Sequence, residues 1–261
     1  MTVQNAAQHA DREAIRHGKI TEKPLRERPS YPTWAVKLTM AITGLIFGLF
    51  VLGHMIGNLK IFMPLHADGS APIDDYGRWL REIGEPLFPH EGFLWCVRIV
   101  LLACLVLHIW GAFTLRARSS KSRGRFKRTN LMGGWQSTAT KAMLVTGVIL
   151  LLFIIFHLLD LTFGTAVASG DFVEGAVRNN MIATFAPSRW WVTLIYVIAN
   201  LALLLHLTHG VYLAVSDLGW LGKRGEGLMV LLAYILPFIV VLGNVVMPIA
   251  IMCGWLPDFS R

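Results

Sequence analysis

Apolar residues gather into five long charge-poor runs: Leu38–Leu59, Ile99–Leu115 with an extension back past Arg98 to Phe93, Ala142–Leu159, Trp190–Ser216 and Gly227–Pro257. Each is near or above the roughly 18–20 residues that a helix needs to cross a hydrocarbon core. The runs are continuous and do not alternate with period two, which favours helices over the strands of a membrane barrel, the other structure that satisfies its backbone in lipid. The pattern therefore predicts an all-α membrane protein, a multi-pass bundle of five transmembrane helices. Pro237 and Pro248 interrupt the fifth run, which lacks histidine, and predict a kinked, structural helix there. No internal repeat stands out. Residues 1–33 are polar, mixed in charge and without the apolar stretch of a signal peptide, and read as a soluble tail. The membrane domain then spans 34–257, and 258–261 form a short C-terminal tail.

Composition agrees, with 54% hydrophobic and 15% charged residues against roughly a quarter charged in soluble domains. The distribution of Lys and Arg sets the expected orientation. Seven precede the first helix, and seven more lie in "RARSSKSRGRFKR" (Arg116–Arg128) between the second and third. The loop between helices one and two has only Arg78 and Arg81 amid six acidic residues, and the loop between helices three and four has Arg178 and Arg189. The bias puts the N-terminus and the basic loop in the cytoplasm and the C-terminus outside, as for a protein of the bacterial cell inner membrane. The same bias, with attraction to anionic membrane lipid, accounts for the net charge of +8 without nucleic acid as a partner.

Five of the nine histidines lie inside these runs: His54, His108, His157, His206 and His209. Intramembrane histidine is uncommon and usually faces the bundle interior with a partner. Alternating helix direction turns sequence offset into height. His54 and His157 fall near the outer face, and His108, His206 and His209 nearer the inner one. Four helices thus supply an outer pair and an inner pair, and two histidines at one height can ligate an iron from opposite sides of a porphyrin. This predicts two b-type haems whose heights differ by roughly 10 Å. Gly53, Gly57, Gly111 and Gly210 lie close to these histidines and would let a macrocycle or a helix approach.

The stretches "GHMIGNLKIF", "VRIVLLACLVLHIWGAFTLRAR", "TKAMLVTGVILLLFIIFHLL" and "LLLHLTHGVYLAVSDLGW" resemble the single-chain, five-helix cytochrome b subunit of succinate dehydrogenase and fumarate reductase, respiratory complex II, of the bacterial b558 group. The resemblance implies His108 with His206 as ligands of the inner haem b and His54 with His157 as ligands of the outer one. His209 is an alternative to His206, since it matches the height of His108 slightly better. It also implies a membrane anchor that takes electrons from a flavoprotein (FAD) subunit and an iron-sulfur subunit and delivers them to menaquinone or ubiquinone. Succinate chemistry would belong to those partners, because the chain offers no flavin site, CxxC motif or nucleotide loop, and the whole complex could form an oligomer. Fumarate reduction would use the same parts in reverse.

Two departures from that family stand out. Some relatives carry a glutamate two residues before the fourth-helix histidine, where this chain has Leu204, and Asp160 stands where many have a further histidine. Asp160 is expected as a helix-end carboxylate meeting water, with proton exchange to quinone as the alternative. Arg98 in the outer half of helix two, and Lys60, are candidates to pair with haem propionates, with snorkelling to lipid phosphate an equal alternative for Lys60. Quinone candidates are Trp135, Ser137, Thr138 and Lys141 at the inner side, and Asn58 and Asp160 at the outer. Cys104 shares a helix face with His108, while Cys96 and Cys253 lie towards the outer side. Packing is their default role, and the alternative is a Rieske-type [2Fe-2S] cluster with two Cys and two His ligands replacing one haem. Two other functional classes fit the histidines: the cytochrome b subunit of a formate dehydrogenase or hydrogenase, and a transporter with a histidine proton relay.

Overall fold

The computed structural model describes residues 31–123, 135–219 and 225–256. The expectations for the N-terminal tail up to residue 30, for residues 124–134 of the basic loop and for the 258–261 tail lie outside the described residues. Regular structure among those residues is all helical. Helix α1 (Thr33–Asn58) runs on through a 3-10 turn, Leu59–Phe62, and is followed by α2 (Pro72–Glu82), α3 (Gly92–Arg123), α4 (Trp135–His157), α5 (Val177–Thr184), α6 (Trp190–Asp217), α7 (Glu226–Val230) and α8 (Leu236–Met252).

Among the described residues, five stretches are long and apolar enough to cross a membrane: Thr33–Phe62, Gly92–Lys121, Ala142–Thr162, Pro187–Asp217 and Gly227–Met252. The protein is a membrane-spanning all-α chain. In lipid an unpaired peptide group has no water to turn to, so each run closes its own backbone hydrogen bonds as a helix. Threonine joins this economy. Thr39 and Thr43 donate their hydroxyls to the carbonyls of Ala35 and Thr39, and Thr146 donates to that of Ala142.

Helix α6 is the centre of the bundle. In its apolar window 39% of residues are buried, against 6% for the spans of α3 and α4. It packs against α1, α4 and α8, while α3 packs on α1. The amphipathic helix α2 and the short α5 cover one end of the bundle, which we term the cap end. There Ile61, Ile73, Met181, Phe185, Val192, Met247 and Ile251 form one apolar cluster joining the cap to α6 and α8. The opposite, basic end holds Arg116, Arg118 and Lys121; Lys37 meets Asp217 at 2.8 Å there, and Arg118 donates to Thr33 Oγ1 and to the Tyr31 carbonyl.

The expected irregularity of the fifth span is present. A π-helical turn, Leu231–Ile235, precedes Pro237, and Pro248 lies within α8. A second π turn, Leu158–Thr162, follows directly on His157. Such wide turns occur mostly as single insertions in α-helices, often at functional sites. This one changes the side-chain register beyond His157, and Asp160 faces inward, fully buried.

Candidate functional site

Four histidines on four spans meet in two pairs. The ring centroids of His108 (α3) and His206 (α6) are 6.3 Å apart, tilted by 55°. Those of His54 (α1) and His157 (α4) are 5.8 Å apart and nearly perpendicular, at 88°. The first pair lies nearer the basic end and the second nearer the cap end. Neither α1 with α4 nor α3 with α6 is among the closely packed helix pairs, so each pair reaches across a gap between helices rather than along a seam.

Hydrogen bonds fix the tautomer of three rings. Thr43 Oγ1 lies 3.0 Å from His108 Nδ1, but its one proton is already directed to the Thr39 carbonyl at 2.7 Å. It therefore accepts, and His108 Nδ1 carries the proton. Thr146 repeats the arrangement, 3.1 Å from His206 Nδ1 and donating to the Ala142 carbonyl. At the other pair, Tyr196 OH accepts from His157 Nδ1 at 3.1 Å and donates to Asp160 Oδ2 at 3.2 Å. In all three rings the lone pair is left on Nε2, the atom available to a metal. Among the described residues His54 has ring contacts only, stacked on Phe50 at 5.5 Å and edge-on to His157.

These contacts give a meaning to a short repeat in the sequence. The pattern T-G-x5-F-x3-H occurs at Thr43, Gly44, Phe50 and His54 and again at Thr146, Gly147, Phe153 and His157. In each copy the threonine holds a histidine of another span, the phenylalanine stacks on the copy's own histidine, and the glycine sits against the ring that its threonine holds. A Cβ on Gly44 would lie 3.4 Å from His108 Cε1, and one on Gly147 would lie 3.4 Å from His206 Cε1. Gly44→Val is accordingly expected to push its methyl groups into the ring and cost about 1–3 kcal/mol, read as a lower thermal midpoint in detergent. Gly53→Val should leave that midpoint in place, since a Cβ there meets nothing within 4 Å.

The level of the site is set by helix rise. Gly44, beside the basic-end pair, and His54 of the cap-end pair are ten residues apart on one continuous helix, about 15 Å of rise. The separation is wider than the roughly 10 Å expected from counting to helix ends.

Asp160 corrects an expectation. It does not meet water; it has 0% exposure and pairs with Arg189 Nη2 at 3.1 Å. Arg189 comes from the 3-10 turn Pro187–Arg189 before α6 and also donates to the Val167 carbonyl at 2.7 Å. Arg189 Nε and Thr193 Oγ1, one turn apart, are buried without a hydrogen-bond partner among the described residues.

The remaining candidates separate from the pairs. Arg98 is not enclosed: its side chain is 36% exposed, stacks on Trp95 and pairs with Glu91 at 3.3 Å. Lys60 lies over the Tyr76 ring, and Asn58 is half-buried at the cap end of α1. Cys104 is buried on α3, whereas Cys96 and Cys253 are exposed on the bundle surface. No three of His, Cys, Asp and Glu converge in a metal-holding group among the described residues. His209 is buried, one turn beyond His206. Gly57 and Gly111 pack against Tyr76 and Met40 rather than a histidine ring, and Gly210, like Gly53, faces open space. Trp135, Ser137, Thr138 and Lys141 fall on the first turns of α4, and their side chains lie outside the described residues.

The second copy of the repeat and the helix that partners it are also where a known family enters. Residues 132–242 match the family model of the succinate dehydrogenase/fumarate reductase transmembrane subunit. The matched stretch takes in α4 to α7 and the start of α8, with Thr146, His157, Asp160, Arg189, Tyr196 and His206. Helices α1 and α3, with His54 and His108, lie before it. No curated protein and no solved structure matches the chain.

Proposed function

We propose that the chain is the cytochrome b membrane anchor of a bacterial succinate dehydrogenase or fumarate reductase. It binds two b-type haems, one between His108 and His206 and the other between His54 and His157. The observation that carries this reading is the pairing itself: two histidines per level, three of the four fixed with a free Nε2. A metal–nitrogen bond of about 2 Å on each side, plus about 1 Å from nitrogen to ring centre, makes about 6 Å between centroids. The observed 6.3 and 5.8 Å fit. The donor set favours haem over a [2Fe-2S] cluster, which needs four protein ligands converging where these levels offer two.

Haem bound at the two levels would supply one-electron carriers on either side of the membrane midplane. The chain's own residues do the rest. Thr43, Thr146 and Tyr196 hold the ligand rings in the correct tautomer, and Gly44 and Gly147 let the helix backbones approach them. Arg189 Nε is a buried donor free to meet an acidic group bound at the cap-end level. With the basic end facing the cytoplasm, the His108–His206 pair lies nearer the flavoprotein and iron-sulfur partners, and electrons pass from them through the chain to menaquinone or ubiquinone. The match of residues 132–242 to the transmembrane subunit of succinate dehydrogenase/fumarate reductase supports catalytic-subunit partners of this kind.

The test is a reduced-minus-oxidised absorption spectrum of the purified complex with haem quantified per chain. Two b haems are expected. One haem with a [2Fe-2S] paramagnetic signal would transfer one level to a cluster, and no chromophore would end the reading in favour of a histidine relay.

A further inference from the structure

The two histidine pairs differ in what holds their rings. At the basic end both Nδ1 acceptors are threonine hydroxyls whose protons go to main-chain carbonyls, a neutral environment. At the cap end the acceptor for His157 is a phenol whose proton goes to a carboxylate. Hydrogen bonds that end on an ionisable group are stronger and polarise the chain of bonds behind them. The phenol is also held rigidly. Tyr196 is 5% exposed and clamped edge-to-face by Phe153 at 4.9 Å and Phe185 at 4.8 Å. Asp160 is fixed in turn by Arg189.

The asymmetry has a sequence origin. Tyr196 stands ten residues before His206, and the residue ten before His108 is Arg98. Arg98 turns to Glu91 at the surface, so the α1–α3 half has no counterpart of the phenol, and His54 keeps ring contacts only. One histidine in four is thus tied to a buried carboxylate.

We propose that Tyr196, backed by Asp160 and Arg189, is the positioning residue of His157 and sets the redox potential of the cap-end centre separately from that of the basic-end centre. The inference rests on the two-haem reading above. Drawing the Nδ1 proton towards the phenol increases electron density at Nε2, and a more electron-rich ligand favours the oxidised metal. Phenylalanine at 196 keeps the ring and its two aromatic contacts but removes the acceptor, so the potential of that centre rises.

The experiment is a redox titration of the complete purified complex, following the two haem components separately. Tyr196→Phe is expected to raise one component by the equivalent of about a tenfold change in relative stability of the two oxidation states, about 59 mV for one electron, with the other unmoved. Asp160→Asn, which nearly preserves shape, should move the same component in the same direction. Thr146→Val should move the other one. Two haems present with neither component shifted by Tyr196→Phe and Asp160→Asn, or with both components shifted together, would overturn the proposal. A complex with no haem would instead overturn the reading beneath it.

Discussion

His108→Ala is expected to lower haem from two to one per chain and to slow succinate-dependent quinone reduction more than about 100-fold, since losing a ligand outright should exceed the 10–100-fold effects of losing its supporting hydrogen bond. The fold should survive the change. Thr43 keeps its bond to the Thr39 carbonyl, and the ring that is removed spans a gap rather than a packed seam. Reduction of a soluble dye by the partner subunits should continue, because their chemistry lies upstream of this chain. His209→Ala is the matched control, expected to keep both haems, because the structure sets His206 against His108 at 6.3 Å and against Thr146. Haem quantitation checks both variants. If His108→Ala retains two haems and normal quinone reduction, the ligand assignment is wrong.

The largest effect on stability is expected from Arg189→Leu. It removes the cation from a carboxylate with no exposure and unties the Val167 carbonyl from the turn that leads into α6. Breaking one side of a buried ion pair costs about 3–5 kcal/mol because the remaining charge is stranded. The double variant Arg189→Leu/Asp160→Leu strands no charge, although the Val167 carbonyl and the Tyr196 hydroxyl lose their partners, and should recover part of the loss. Unfolding midpoints in detergent for the two single variants and the double variant give the coupling directly. Equal destabilisation by the double and the sum of the singles would mean that the pair contributes nothing as a pair.

Much of this architecture is legible in the chain. Continuous apolar runs define the five spans, since lipid requires internally paired backbone and unalternating runs suit helices rather than barrel strands, and alternating helix direction sorts His54, His108, His157 and His206 into two levels. What supports the rings is less visible. Thr43 and Thr146 look like ordinary helical threonines, and their role depends on which helix is adjacent, which periodicity does not reveal. The repeat T-G-x5-F-x3-H was within reach of the sequence, yet three fixed positions of hydrophobic or small type in twelve are a faint signal among so many apolar residues. Counting residues misplaces Asp160 because it assumes a regular helix, and the π turn at Leu158–Thr162 changes the register just before it. Tyr196 gives no signal for a similar reason: on a helix that is apolar almost all round, nothing local says which face points to the histidines.

Because α1 carries both Thr43 and His54, and α4 both Thr146 and His157, each of these helices touches both levels. The repeat therefore acts as a ruler in two copies. In the two-haem reading, the eleven-residue offset along unbroken helix sets the gap between the two centres, and the second copy repeats it. A tilt or kink in either helix would disturb both levels at once, so the spacing between them is a rigid property of the chain rather than an adjustable one.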